Sequence, residues 1–151
     1  MKVIIGADHA GFIYKGLLIK AMEDQGYDVF DAGAYNDEDA DDYPDRATDV
    51  ALALLSKQGD RGILICGSAV GVSITANKFR GIRAGVCHDT YSAHQCVEHD
   101  DTNILCLGER VIGVELAKEI VFTFLKANFS GEPRHQRRLE KIAAIEDKNM
   151  K

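Results

Sequence analysis

The stretch "ILICGSAVGVSI", residues 63–74, decides how this chain is read: an apolar run ends on a cysteine, and a loop with glycine at 67 and 71 follows at once. A short continuous apolar run bounded by glycine is the pattern of a strand buried on both faces, as in parallel sheets. Similar runs at 3–7, 27–31, 82–87 and 103–107 join 62–66 to give five predicted strands. Between them the apolar period lengthens to that of a helix. Ile13/Leu17/Ala21 and Tyr14/Leu18/Met22 repeat at four-residue spacing as a core-facing stripe that Gly26 ends. A second helix is expected near Pro44, with Ala47, Val50, Ala51, Leu54 and Leu55 inward. Segments 71–79, 89–98 and 113–128 complete the set, and a basic helix spans about 133–148.

Strand and helix alternating five times predict an α/β fold. Right-handed crossovers place helices on both faces, so the expected architecture is a three-layer α/β/α sandwich around a five-stranded parallel sheet, Rossmann-like in form. Such sheets bind ligands beyond the carboxyl ends of their strands. Asp8, His9 and Cys66 all fall there.

With 151 residues, 46% of them hydrophobic, the chain suits one ordinary core, so residues 1–151 read as a single domain. It has two prolines and neither a linker-like tract nor an internal repeat. The opening "MKVIIGADHAG" holds too few apolar residues for a signal peptide or membrane span, so a cytoplasmic location without membrane association is expected. Cys66, Cys87, Cys96 and Cys106 form no C-x-x-C pair and suit reduced thiols. A formal charge of −6 disfavours nucleic acid as a partner, so any anion site is local. Arg134, His135, Arg137 and Arg138 form such a cluster, whereas the acidic "NDEDADD" at 36–42 reads as a solvated loop.

The loop after Cys66 lacks the G-x-G-x-x-G of dinucleotide sites and the Lys-Ser/Thr pair of a Walker loop. Val72 and Ser73 stand where a cysteine phosphatase would close its loop with arginine. Two readings remain. A thiol near a helix amino end, ringed by N–H donors, acts as base or nucleophile while the donors hold an oxyanion. Alternatively, Cys66 is a small buried apolar residue and the glycines make a tight turn. His9 at a strand end, His99 within "EHDDTN" and the arginine cluster add weight to the chemical reading. His94, Cys96, His99, Asp100 and Asp101 lie close in sequence, but His94 and His99 are five apart and share a helix face poorly, which argues against a metal site. Arg134 and Arg138, four apart, share a face and could grip a phosphate, while Arg137 points nearer a neighbouring face.

The motifs "GADHAG" (6–11), "DYPD" (42–45), "ILICGSAVGVSITANK" (63–78), "GIRA" (81–84), "HDDTN" (99–103), "GERVIG" (108–113) and "RHQRR" (134–138) together resemble the type B ribose-5-phosphate isomerase family, which includes allose- and galactose-6-phosphate isomerases. The resemblance implies aldose–ketose isomerisation of a phosphorylated sugar through an enediolate, with ribose 5-phosphate and ribulose 5-phosphate the leading pair. It implies no metal and no other cofactor. Another sugar phosphate (allose, galactose or tetrose phosphate) is the alternative substrate, and a non-catalytic sugar-phosphate-binding module is the alternative class. The resemblance makes Cys66 the proton-transferring base and His99 the acid that opens the ring. Gly67, Ser68, Ala69, Val70 and Gly71 would hold the enediolate oxygens. His9, Arg134 and Arg138 would hold the phosphate, Arg110 would reach substrate, and Asp8, Tyr43 and Asp100 would border the sugar.

Three positions depart from the family's usual pattern: Ser68 replaces threonine, Ala69 replaces glycine and Asp100 replaces asparagine. The second questions any arrangement needing positive φ at 69. The third removes an N–H donor and adds negative charge. His99 and Asp100 precede the fifth strand, near its amino end, while Cys66 ends the third. In one parallel sheet these are opposite edges, so a shared site calls for a partner subunit and a two-fold homodimer, which the resemblance also implies, sometimes paired into a tetramer.

Overall fold

A computed structural model describes residues 1–38 and 40–150. Five parallel strands form one sheet: β1 (Lys2–Ala7), β2 (Asp28–Asp31), β3 (Arg61–Cys66), β4 (Ala84–Val86) and β5 (Ile104–Gly108). Their order is β2-β1-β3-β5-β4. The helices are α1 (Phe12–Asp24), α2 (Tyr43–Leu55), α3 (Val70–Ala76), α4 (Thr90–Asp100), α5 (Val114–Lys126) and α6 (Pro133–Asn149). A short 3-10 turn, His9–Gly11, leads from β1 into α1.

The pleat distributes the central strands between two cores. Val3, Ile5, Ile63, Ile65, Leu105 and Leu107 meet α1, α4 and α5 through Leu18, Met22, Val97, Ile120 and Phe124. Ile4, Leu64, Cys66, Ile104 and Cys106 point the other way, onto Ala47, Val50 and Ala51 of α2 and Val72 and Ala76 of α3. Alternate residues therefore serve opposite layers, which is why β1, β3 and β5 are apolar almost throughout. Each fully buried aliphatic side chain contributes about 1.5–3 kcal/mol.

Burial on both faces does not extend to β2 and β4. These are the sheet's two edges; β2 alternates exposed with half-buried residues, and β4 has only three residues, half-buried or exposed, against the six expected at 82–87. Each has one strand neighbour and less helical cover.

The stripe expected on α1 is half right. Leu18 and Met22 are buried, but Ile13 and Leu17 are exposed, because the helix is rotated to bury Lys15 instead. Lys15 Nζ bonds both carboxylate oxygens of Asp31, at 2.7 and 2.9 Å, and the carbonyl of Ala34, which compensates burial of its charge. Gly26 lies just past α1 with φ +86, the left-handed conformation glycine tolerates after a helix. On α2, Ala47, Val50 and Ala51 face inward as expected, whereas Leu55 at the last turn is exposed.

The helix α6 packs against α4, and its far end is tied to the segment entering β4: Arg80 pairs with Asp147, and Glu146 accepts from the Gly81 N–H. It therefore runs near the amino ends of β4 and β5. No helix among the described residues is long and apolar enough to cross a membrane.

Candidate active site at the carboxyl edge

From the sheet order, α1 carries the chain from β1 outward to β2, whereas α3 carries it from β3 the other way toward β4. The connections diverge between β1 and β3, leaving a crevice beyond their carboxyl ends. A cavity of about 400 Å³ occupies it. Asp8, His9 and Ala10 line it from β1, Cys66, Gly67, Ser68 and Gly71 from β3 and α3, Tyr43 from α2, and Arg110 and Val111 from the turn after β5.

Cys66 ends β3 with its side chain on the α2/α3 side, only 5% of the residue exposed. The Ala69 N–H donates to Cys66 Sγ at 3.1 Å. Ala69 takes φ +72, ψ −13, so alanine occupies the left-handed conformation despite its Cβ; this strain, of order 1–3 kcal/mol, aims its N–H back at the sulfur. The Ser68 hydroxyl accepts from the Val70 N–H at 3.3 Å. Gly71 is required by contact: an added Cβ would lie 2.7 Å from the Tyr43 ring, so the backbone of α3 packs directly on that ring. Of the four cysteines, all free, Cys66 is the one that lines this cavity. Cys106, fully buried nearby, has its thiol pushed up by burial and by Cys66.

Backbone hydrogen bonds bring Arg110 to the loop that follows the thiol. Glu109 N–H donates to the Cys66 carbonyl at 2.9 Å and Arg110 N–H to the Gly67 carbonyl at 3.1 Å, so the turns after β3 and β5 are joined. Glu109 in turn accepts from the Tyr14 N–H. Asp8 accepts from Ala10 N–H at 3.0 Å, and burial raises its carboxyl above the usual range. His9 is held by Asp41, whose Oδ1 accepts from the His9 backbone N–H at 2.8 Å and meets ring Nδ1 at 3.1 Å. The Asp41 hydrogen bond raises the His9 pKa against the opposing effect of burial.

The acidic run 36–42 is therefore not simply solvated: Asp41 turns inward. Sequence reasoning missed it, because 32 residues separate it from His9 and no local pattern links them. Ala10 and Val111 were also missed. Asp39 lies outside the described residues.

The other candidate residues lie elsewhere in the chain. His99 and Asp100 end α4, five and four residues before β5 begins. Ile104 pairs with Gly62 and Gly108 with Cys66, so these residues sit a strand length, roughly 15 Å, from the thiol. His99 stacks on His135 with centroids 4.1 Å apart, and its Nδ1 meets Gln95 at 3.2 Å. His135 is buried, not part of a solvated basic cluster; its Nδ1 contacts Ser130 Oγ at 2.6 Å, and burial lowers its pKa. Arg134 and Arg138 on α6 are exposed, Arg134 pairing with Glu132. A second cavity of about 400 Å³, largely apolar, lies between α6 and the entry to β4, with Ile82, Ile142 and Ile145 in its wall and Asp100 at its lining. Among the described residues no three His, Cys, Asp or Glu side chains converge as metal ligands; His94 pairs with Glu98.

A family profile described as ribose/galactose isomerase matches residues 3–142. The chain belongs to that family, a group of aldose–ketose isomerases. It is 49% identical to ribose-5-phosphate isomerase B of Escherichia coli over 147 residues, 97% of each chain. It is 39% identical to D-erythrulose-4-phosphate isomerase 2 of Mycolicibacterium smegmatis, over 97% of each. The solved ribose-5-phosphate isomerase B of Clostridium thermocellum superposes with a TM-score of 0.95 at 49% identity, covering 98% of this chain and 99% of the other. The shared fold includes the sheet whose carboxyl edge carries the thiol.

Proposed function

We propose that this chain, one sugar-phosphate isomerase domain, interconverts ribose 5-phosphate and ribulose 5-phosphate with Cys66 as the base. The observation that carries this is the Ala69 N–H on the Cys66 sulfur at 3.1 Å, in a cavity also lined by His9 and Arg110. That N–H fixes the sulfur at the cavity wall. The thiolate removes the C2 proton of the open-chain aldose, and the C1 carbonyl oxygen gains the charge. A proton passes from O2 to O1, and the thiol returns its proton to C1, giving the ketose without net loss of atoms or electrons. The 67–71 backbone is assigned to the enediolate oxygens; of this loop Gly67, Ser68 and Gly71 line the cavity, while the Ala69 and Val70 N–H groups are engaged by Cys66 Sγ and Ser68 Oγ. Charge on those oxygens appears only along the reaction path, so one aimed donor is worth roughly 3 kcal/mol in rate.

His9, Arg134 and Arg138 are assigned to the phosphate, and Arg110 reaches the substrate from the turn after β5. His99 protonates the ring oxygen as the C1–O4 bond of the furanose breaks, and the anomeric hydroxyl gives its proton to solvent to leave the C1 aldehyde. Because His99, Asp100, Arg134 and Arg138 stand at the opposite sheet edge in their own chain, they are assigned to the cavity of a second copy. Two copies related by a two-fold axis would complete two composite sites. Four free cysteines agree with a reducing, cytoplasmic setting.

A second substrate is favoured by one residue: Asp100 places a carboxylate, which cannot donate, where it would border the sugar. The test is aldose–ketose conversion by purified protein over pentose, tetrose and hexose phosphates with chelator present. The proposal requires ribose 5-phosphate to have the highest kcat/KM. Asp100→Asn is expected to alter the ranking; an unchanged ranking would remove Asp100 from specificity.

A further inference from the structure

Resting on the isomerase reading of the cavity, we propose that Asp41 is a positioning residue, which grips His9 through backbone N–H and ring Nδ1 and so presents Nε2 to the substrate phosphate. One oxygen, Asp41 Oδ1, takes both contacts, at 2.8 and 3.1 Å. A carboxylate only accepts, so Nδ1 carries the proton and the ring cannot flip without losing that bond. Nε2 is the nitrogen left for a ligand, and His9 lines the cavity. The second oxygen of Asp41 faces Arg46 Nε on α2 at 3.7 Å, and Arg46 also pairs with Asp49 at 3.3 Å. The carboxylate is thus held between a helix and the histidine.

The charges around His9 favour its cation. Asp8 in its own turn and Asp41 from the β2–α2 connection face it, with Arg46 behind Asp41 and Arg110 and Cys66 lining the same cavity. Hydrogen bonding to Asp41 is the main influence raising the His9 pKa; burial opposes it and Asp8 assists. Burial works against ionisation of Asp41 itself, but bonds from His9 and the charge of Arg46 hold its carboxyl below the usual range. A phosphate monoester is largely dianionic above about pH 6, so a fixed imidazolium extends phosphate binding into the neutral range.

Asp41→Asn keeps an acceptor oxygen for the His9 backbone N–H and removes the charge. Asp42→Asn makes the same charge change one residue away, at an exposed position whose side chain caps nothing. Three readouts apply: the His9 titration and ring tautomer by nitrogen-detected NMR, inorganic phosphate affinity, and the kinetics with ribose 5-phosphate. In Asp41→Asn we expect the His9 midpoint to fall and phosphate binding to weaken. KM is expected to rise several-fold, more at neutral pH than at pH 6, with kcat within about twofold. Asp41→Glu is expected to recover part of each effect, and Asp42→Asn to leave all of them unmoved. An unchanged His9 midpoint in Asp41→Asn, or an equal fall in Asp42→Asn, would overturn the assignment. Should the wild-type protein turn over no sugar phosphate, the isomerase reading falls, while the His9 titration and phosphate affinity still decide the role of Asp41.

Discussion

Replacing Cys66 by serine and by alanine separates the chemical role of the sulfur from its structural one. Ala69 is fully buried, and its N–H finds its acceptor in Cys66 Sγ. In Cys66→Ala that donor loses its partner, a loss worth about 1–3 kcal/mol when a buried group is left unsatisfied. For a chain of this size each kcal/mol moves the midpoint by about 2–4 °C, so Tm is expected to fall by several degrees. In Cys66→Ser the hydroxyl still accepts the bond, so stability is expected to stay within about 1 kcal/mol of wild type. A serine hydroxyl does not ionise near neutral pH, so both variants lose the base and their kcat falls by about 10²–10⁴. Thermal melts and single-substrate kinetics with ribose 5-phosphate are the assays, with binding of inorganic phosphate as the control for an intact pocket. Cys66→Ser retaining more than about a tenth of wild-type kcat would refute the assignment of the base. Cys66→Ala melting with wild type would refute the structural role of the Ala69 bond.

Three further outcomes are expected. Gly71→Ala drives a methyl into the Tyr43 ring, 2.7 Å away, and is expected to cost roughly 1–3 kcal/mol in urea unfolding and to raise KM as the ring is displaced. His88 accepts from the Gly108 N–H through Nε2 at 2.9 Å, which requires the neutral ring, and burial lowers its pKa. Its folded pKa lies below the unfolded value of about 6.5, so its contribution is full above that pH and is lost as pH falls toward the folded value. The urea midpoint of wild type is therefore expected to drop on acidification below pH 6.5 more than that of His88→Gln, whose amide oxygen accepts the same bond at any pH; parallel curves would contradict this. Finally, Cys66→Ser and His99→Asn, each inactive alone, are expected to regain activity when unfolded and refolded together, to about one quarter of wild-type sites if subunits pair at random. A mixture no more active than its components would exclude sharing of sites between copies.

The alternation of short apolar runs with helical periods could be read directly, because burial between two helical layers leaves its mark on neighbouring residues. So could the position of Cys66 at a strand end, and the turn at Gly26 that stops α1. The rotation of α1 was misread because Ile13 and Leu17 have the right spacing for a buried stripe, and only the Asp31 carboxylate and Ala34 carbonyl explain why Lys15 goes inside instead. Ala69 was a doubtful residue for a positive φ; the structure places it there nonetheless, with its N–H on the sulfur.

Periodicity along the chain thus determined which segments are strands and helices, and family motifs named the residues with chemistry to offer. Neither could say which strand ends are neighbours. The order β2-β1-β3-β5-β4 sets Asp8 and His9, Cys66 and Arg110 around one cavity and draws Asp41 onto His9, whereas the place of His99 at the other edge already followed from its position before a parallel strand. These meetings depend on hydrogen bonds and crossovers between residues remote in the chain, and local patterns carry no record of such contacts.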